Sequence, residues 1–350
     1  MFKLFMADDQ LETLSWVFER FAREECYNSS PLYERISLSI AKDAELLSLA
    51  THVRTGERIP NLLLAAVHFL LLRGTKHPVA RFYESLSRAP ERYKDPYPNF
   101  RSFCLEHEGE ISKLIACRSV QTNEVRRCAC LLPIFVAVAE ESHGRPLYLI
   151  EIGSAAGLLL LWDHYRYRYG DAPECGDLDS PVQIRCGLRG EGSPPIRNDF
   201  PRVSGRLGID LNPVDVNNRD SRLWLRALIW PEHRERAHLL ERAIEVAQRE
   251  PPELIAGDAV EVLPKILPLV PPDSILCILR VWTSLPKKAH EQFSSVVTKC
   301  GQKRDLFVIS TIGQRGNEID LQLTSFVKGR KTVKLLAHCE THGEWLEWVA

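Results

Sequence analysis

Hydrophobic positions follow two different periods along this chain, and the change falls close to residue 143. In the first part, apolar residues recur at helical spacing, and the segment from Leu62 to Leu72 is apolar on nearly every side. A period of 3.6 residues is typical of an amphipathic α-helix, and a helix that is apolar all round is buried. We therefore predict an α-helical lobe over residues 1–142, with a central helix that begins near Pro60 and ends at Gly74.

From Arg145 onward, short β-type runs alternate with helical patterns, which is typical of a parallel sheet with helices on both faces. The predicted strands are 147–152, 203–211, 254–259, 275–281 and 306–312, and the predicted helices are 217–229, 231–249 and 287–299. The fold class predicted for residues 143–350 is therefore α/β, a Rossmann-like, mostly parallel sheet preceded by the helical lobe.

Two further segments of the second part do not fit the simple alternation. Residues 171–202 are rich in Gly, Pro and Asp, and we interpret them as an insertion with a β-hairpin around residues 182–188. Residues 332–336 and 344–349 are expected to supply one or two edge strands.

The first predicted strand runs directly into a turn of small residues. Leu147 to Ile152 is followed by Gly153-Ser154-Ala155-Ala156-Gly157 and then by another apolar run. Glycine allows the backbone to approach a ligand closely, and a helix start offers N–H groups beside it. We interpret this segment as a nucleotide-binding turn in which Gly153, Ser154, Ala155 and Gly157 contact a cofactor. Packing of small residues at a strand-to-helix turn is the alternative.

Acidic residues fall at the ends of three predicted strands, namely Glu151, Asp210 and Asp258. In an open parallel sheet, ligands bind outside the carboxyl ends of the strands. Glu151 suits an ammonium group, and Asp210, with Leu211 beside it, suits a pair of ribose hydroxyls. Asp258 suits the amino group of an adenine, whose ring nitrogen would accept from the N–H of Ala259. The series favours S-adenosylmethionine over a dinucleotide, because Glu151 would repel a pyrophosphate. Helix capping is the alternative for Asp210 and Asp258.

Candidates for the substrate pocket come from two other places. Gln121, Asn123 and Glu124 precede the first strand, and at helical spacing Gln121 and Glu124 share one face. We predict that the three line the pocket, with helix capping and surface ion pairs as the alternative. Arg280, at the end of the fourth strand, either neutralises a carboxylate or is a surface arginine. The sequence does not single out a catalytic residue.

Charge and composition restrict the class of partner. The 350 residues carry a formal charge of −1, which provides no field to hold a polyanion, so nucleic acid is disfavoured. No apolar run is long enough to cross a bilayer, and no secretory signal is evident at the start. The ten cysteines form no C-x-x-C pair, so we expect reduced thiols and no metal site. These features predict a cytoplasmic protein that acts on a small molecule.

Several separate motifs also carry a family resemblance. The chain resembles the mainly bacterial family called domain of unknown function 2332, which implies a fold like that of S-adenosylmethionine-dependent methyltransferases behind a helical segment but no established reaction. The segments that carry this resemblance are Ser30–Tyr33, Asn61–His68, Gln121–Glu124, Glu151–Leu158, Asp210–Pro213 and Trp230–His233.

The chain departs from ordinary methyltransferases at Ala155, where a glycine is common, and in the long gap between Gly157 and Asp210. Our leading hypothesis is a methyltransferase that uses S-adenosylmethionine on a small molecule. A non-catalytic methyltransferase-like protein that binds a metabolite or partner is the alternative. A dinucleotide-dependent oxidoreductase is disfavoured, since the spaced third glycine is absent.

Overall fold

The fold was obtained as a computed structural model, which describes residues 2–283 and 286–350, with side chains from residue 10 onward. The chain forms two compact units, one of residues up to 122 together with 217–238, and one of 123–216 together with 239–350. The sequence pattern placed the boundary at residue 142. In the structure, residues 123–142 group with the sheet, because the helix Cys128–Glu141 contacts its strands. Trp224 and Ala227 belong to the core of the helical unit.

The helical unit packs around one buried helix. Its helices are α1 (Phe2–Phe21), α2 (Pro31–Ile40), α3 (Ala44–Ala50), α4 (Ile59–Arg73), α5 (Tyr97–Glu106), α6 (Glu108–Cys117) and α8 (Arg219–Ala227). As predicted, α4 has a proline in its first turn, is buried from Leu62 to Leu71, and ends at Gly74 with a φ of 116°. Glycine adopts this left-handed conformation without steric cost, which is why the helix ends there. None of the described helices combines the length and apolarity needed to span a bilayer.

The second unit is built on an eleven-stranded sheet with the order β3-β2-β4-β11-β10-β9-β8-β7-β1-β5-β6. The strands are β1 (Leu147–Ile152), β2 (Arg166–Tyr169), β3 (Cys175–Gly176), β4 (Gln183–Arg189), β5 (Val203–Asp210), β6 (Glu253–Ala256), β7 (Ile275–Arg280), β8 (Leu306–Arg315), β9 (Glu318–Val327), β10 (Arg330–Glu340) and β11 (Trp345–Trp348). The remaining helices are α7 (Cys128–Glu141), α9 (Arg234–Arg249), α10 (Ala259–Ile266) and α11 (Lys287–Gly301).

Five neighbouring strands, in the order β6-β5-β1-β7-β8, are parallel to one another. The chain passes from β1 outward to β5 and β6 and then returns to the other side of β1 for β7 and β8. The strand order therefore reverses at β1, and the carboxyl end of β1 lies between those of β5 and β7. The predicted α/β class with a mostly parallel sheet is confirmed, and all five predicted strands of this half are present.

The other half of the sheet differs from the prediction. The expected hairpin around residues 182–188 is instead the single strand β4, which pairs in parallel with β2 and β11. The segments predicted as edge strands, 332–336 and 344–349, belong to β10 and β11, which lie inside the sheet because β4, β2 and β3 extend it beyond them. Strand β9 was not predicted. Strand pairing depends on partners that are remote in sequence, which a local pattern does not encode.

Candidate functional site

The glycine turn lies at the carboxyl end of β1 and has a left-handed backbone, which is strained only at Ala155. Gly153, Ala155 and Gly157 have positive φ values of 73°, 49° and 68°. A Cβ atom on Gly153 would lie 2.7 Å from the Thr283 Oγ1, so only glycine fits there. The predicted helix after the turn is a short 3₁₀ helix, Leu158–His164, because the chain enters β2 immediately afterward.

Side chains from two other segments bind the N–H groups of this turn. The Ala155 N–H donates to Asp210 Oδ2 at 2.8 Å, and the Ala156 N–H donates to Asn123 Oδ1 at 3.1 Å. The other Asp210 oxygen accepts from the Asn212 N–H at 2.8 Å. Asp210 therefore braces the turn against the end of β5.

Glu151 is a buried acid beside the turn, with only 3 % of its surface exposed. Burial raises the pKa of its carboxyl well above the usual range, the charge of Asp210 raises it further, and the charge of Arg127 lowers it. Its Oε2 has no hydrogen-bond partner. Burial therefore favours the neutral form of this carboxyl, and a cation within reach would favour the ionised form.

Four buried polar atoms in this region lack a hydrogen-bond partner: Glu151 Oε2, Ser154 Oγ, Asn123 Nδ2 and Trp282 Nε1. Glu151 and Ser154 belong to β1 and its turn, and Asn123 binds the turn through its other amide atom. Trp282 follows β7, the strand next to β1. An unpaired buried polar group costs about 1–3 kcal/mol, so three of them at neighbouring strand ends, with Asn123 bound to the turn, indicate a place where a bound molecule supplies the partners.

Trp282 and Arg127 contact each other in this site, and neither residue was among the site residues predicted from the sequence. Trp282 has a φ of 50°, uncommon for an aromatic residue, and its backbone N–H donates to Thr311 Oγ1 at 2.9 Å. The Arg127 guanidinium carbon lies 4.7 Å from the centre of the Trp282 ring, and its Nε donates to the Thr341 carbonyl oxygen at 2.9 Å. Arg127 lies in the polar run before β1, but nothing local to the sequence indicates the conformation of Trp282.

The three strand-end acids occupy adjacent strands. The backbone N–H of Gly257 donates to the carbonyl oxygen of Asp210 at 2.9 Å, which places Asp258 one residue beyond that contact. Asp258 is exposed, and its Oδ1 accepts from the Val260 N–H at 2.8 Å as the N-cap of α10. Ala259 is buried as the first residue of α10, whereas the Leu211 side chain is 71 % exposed. Asp258 therefore serves as a helix cap, the alternative that its position allowed.

The polar run before β1 is not helical over residues 118–124, which contradicts the shared helical face expected for Gln121 and Glu124. Glu124 instead accepts from the Arg126 N–H as the N-cap of a short 3₁₀ helix, Val125–Arg127. Side chains that bind local backbone groups compete with helix formation, which is the physical reason for the difference. Gln121 belongs to the helical unit, and Asn123 and Glu124 belong to the sheet unit.

Arg280 is the last residue of β7 and is half-buried, and burial lowers the pKa of its guanidinium. Within the described ranges, no three His, Cys, Asp or Glu side chains are grouped so as to hold a metal ion. The site thus consists of a glycine turn, a buried acid with a raised pKa, a second acid that braces the turn, and an arginine stacked on a tryptophan.

Comparisons with known proteins identify the family. No curated protein matches the chain, and no solved structure matches it. The model of one family, described as "Uncharacterized protein conserved in bacteria (DUF2332)", matches residues 16–348. This match spans nearly the whole chain and includes Glu151, Asp210 and the motifs that suggested the resemblance. The chain therefore belongs to the DUF2332 family of uncharacterised bacterial proteins.

Proposed function

We propose that this protein binds S-adenosylmethionine at the carboxyl ends of β1, β5 and β6 and transfers its methyl group to a small molecule. The observation that carries the proposal is the buried carboxyl of Glu151, whose Oε2 has no partner directly before a glycine turn. A protein retains a buried, unpaired acid at a cost in stability, and a ligand cation such as the ammonium group of S-adenosylmethionine would provide its missing partner.

The other predicted contacts are compatible with this ligand. The unpaired Nδ2 of Asn123 is a hydrogen-bond donor, which suits the carboxylate of the amino-acid part. Asp210, whose oxygens accept the Ala155 and Asn212 N–H groups at 2.8 Å, is the proposed contact for the ribose hydroxyls. Gly153, Ser154, Ala155 and Gly157 are the proposed contacts of the turn, and the glycine at Gly153 also accommodates the Thr283 side chain, which lies where a Cβ atom would stand. Asp258 and Ala259 are the proposed adenine contacts.

The strand order supports the finer fold assignment that we propose, a Rossmann-like sheet of the methyltransferase type. Numbered by their order along the chain, the five parallel strands run 3-2-1-4-5, with the antiparallel β9 beside the last. In such sheets the ligand binds at the point where the order reverses, which here is β1. Methyl transfer depends chiefly on aligning the acceptor with the sulfonium, so it does not require an evident general base.

Isothermal titration calorimetry of the full-length protein with S-adenosylmethionine and S-adenosylhomocysteine tests the proposal. We expect saturable binding of both, because both carry the ammonium, ribose and adenine groups. NADH, titrated in parallel, is expected not to bind, since the turn lacks the spaced third glycine of a dinucleotide-binding turn. Protein that is folded by circular dichroism and gives no heat with either adenosyl ligand would refute the proposal.

The protonation state of Glu151 gives a sharper readout. Because its pKa is raised, binding of an ammonium group should ionise the carboxyl and release a proton. The observed binding enthalpy should then change with the ionisation enthalpy of the buffer. Glu151→Gln should abolish that dependence and weaken binding by about tenfold or more. Asp171→Asn, at an exposed loop position of the same unit, is the matched control and should leave both unchanged.

One observation favours a second candidate function, a non-catalytic protein that binds a metabolite on the same fold. The N–H groups of Ala155 and Ala156 are already bound by Asp210 and Asn123, so the turn presents fewer free donors than a cofactor-binding turn usually does. This candidate predicts cofactor binding without formation of S-adenosylhomocysteine. Incubation with radiolabelled S-adenosylmethionine and a panel of small-molecule acceptors distinguishes the two.

A further inference from the structure

Two motifs of the helical unit that the proposed cofactor site does not use meet at Glu232. The carboxylate of Glu232 accepts from Ser30 Oγ at 2.8 Å and from the Leu32 N–H at 3.1 Å, although about 200 residues separate these positions in the chain. The neighbouring His233 Nε2 lies 3.1 Å from Ser29 Oγ. Burial raises the pKa of the Glu232 carboxyl, while its bonds to Ser30 and Leu32 act in the opposite direction.

Two tyrosines next to this acid have hydroxyl groups without hydrogen-bond partners. Tyr33 and Tyr83 are 1 % and 0 % exposed, and the structure gives neither hydroxyl a partner. Their ring centres are 6.3 Å apart, and the Trp230 ring centre is 6.0 Å from that of Tyr33. Phenylalanine at either position would fill the same space without a buried unpaired hydroxyl, which costs about 1–3 kcal/mol. Tyrosine here therefore indicates a role for the hydroxyl groups.

Charges of both signs act on the tyrosine pair, and the Glu232 carboxylate acts on both of its rings. After burial, Glu232 contributes to raising the pKa of both tyrosines, whereas Arg226 lowers the pKa of Tyr33 more weakly. The His68 ring centre lies 5.3 Å from that of Tyr83, but burial lowers the pKa of His68 to about 3, so its ring is neutral. Both His68 nitrogens are already engaged, Nδ1 with the Ala227 carbonyl oxygen at 3.0 Å and Nε2 with Ser85 Oγ at 2.8 Å.

We propose that Tyr33, Tyr83, Trp230 and Glu232 form a binding site for a small organic amine in its protonated form. An ionised carboxylate accepts about four hydrogen bonds, and Glu232 already accepts from Ser30, from the Leu32 N–H and from its own N–H, so one position remains for an ammonium group. The phenol oxygens of the tyrosine pair can accept further N–H groups, and the aromatic faces attract a cation. Glu232 and Trp230 retain partial solvent exposure, which gives the ligand access.

Isothermal titration calorimetry of the full-length protein at neutral pH tests this inference. The probes are the unbranched primary amines from methylamine to hexylamine, each matched with the alcohol of equal length. We expect saturable binding of at least one amine and none of the matched alcohols, because an alcohol has no charge for Glu232 to bind. Absence of binding by every amine, or equal binding of amine and alcohol, overturns the proposal.

Variants of the site residues distinguish amine binding from a purely structural role of these hydrogen bonds. Glu232→Gln should weaken amine binding by about tenfold or more, and Tyr33→Phe and Tyr83→Phe by about 2- to 10-fold each. Tyr165→Phe, which removes a buried hydroxyl that donates to the Leu158 carbonyl oxygen in the sheet unit, should leave amine affinity unchanged. If Glu232→Gln does not fold, the two phenylalanine variants still decide. Unchanged amine affinity in both of them refutes the site.

Discussion

Replacing Asp210 with asparagine tests whether this carboxylate braces the glycine turn. One oxygen of Asp210 accepts from the Ala155 N–H and the other from the Asn212 N–H, both at 2.8 Å. Asparagine has a single carbonyl oxygen, so it can serve only one of these donors, and its NH₂ group then faces the other. Asp258→Asn is the matched control, because the Asp258 side chain accepts from one donor, the Val260 N–H.

The expected magnitude follows from these contacts. A hydrogen bond to a charged group contributes about 1.5–3 kcal/mol, and replacing a charged acceptor with a neutral one weakens the remaining bond by about 1 kcal/mol. Since Asp210 is only half-buried, we expect Asp210→Asn to lower the free energy of unfolding by about 2–3 kcal/mol. Asparagine caps a helix about as well as aspartate, so Asp258→Asn should change it by less than about 0.5 kcal/mol.

Urea unfolding of the ligand-free variants measures the difference, and hydrogen exchange gives a local readout of the same contact. In Asp210→Asn, the amide of Ala155 should exchange faster, because its acceptor is lost or weakened. The amide of Gly153, which donates to the Ile209 carbonyl oxygen, serves as an internal reference. If Asp210→Asn is as stable as Asp258→Asn and the Ala155 amide stays protected, the bracing role is refuted.

Three further predictions follow from the same structure. Ala155→Gly should change the free energy of unfolding by less than about 1 kcal/mol, because relief of the positive φ offsets the added entropy of the unfolded chain. Ala156→Gly should lower the free energy of unfolding by about 1–2 kcal/mol in the same urea assay, because it removes a buried methyl group and adds chain entropy. The pKa of Glu151 is raised in the folded state, so the free energy of unfolding should fall as pH rises above the ordinary carboxyl pKa, by up to about 1.4 kcal/mol per pH unit. Glu151→Gln should remove that slope, and equal slopes in the two proteins would contradict the prediction. In a thiol titration of the native protein, the exposed Cys117 should react first and the partly exposed Cys300 next, with the remaining cysteines reacting only after denaturation; fast labelling of a buried thiol would refute this order.

The elements that the sequence predicted well are those whose signal is local. The apolar run of α4, the proline and glycine at its ends, and the five parallel strands all followed from periodicity and turn residues. The strand that begins at Leu147 was predicted with both of its bounds, because every residue but Glu151 is apolar or aromatic and small residues follow directly.

The predictions that differ from the structure concern pairing. Residues 182–188 have strand character, but whether they form a hairpin or pair with β2 and β11 depends on segments remote in the chain. Likewise, the extended course of residues 118–124 reflects bonds made by Asn123 and Glu124 that override a local helical spacing.

The same division holds for the functional chemistry. Residue types and their order along the chain placed acids at the ends of β1 and β5 and small residues between them, because a strand end and a turn are local features. Which polar atoms meet was decided only on folding, as when Asp210 binds the Ala155 N–H and Glu232 binds Ser30. Hydrogen bonds and burial depend on distances in space between residues far apart in sequence, and those distances exist only once the cores of the two units have packed.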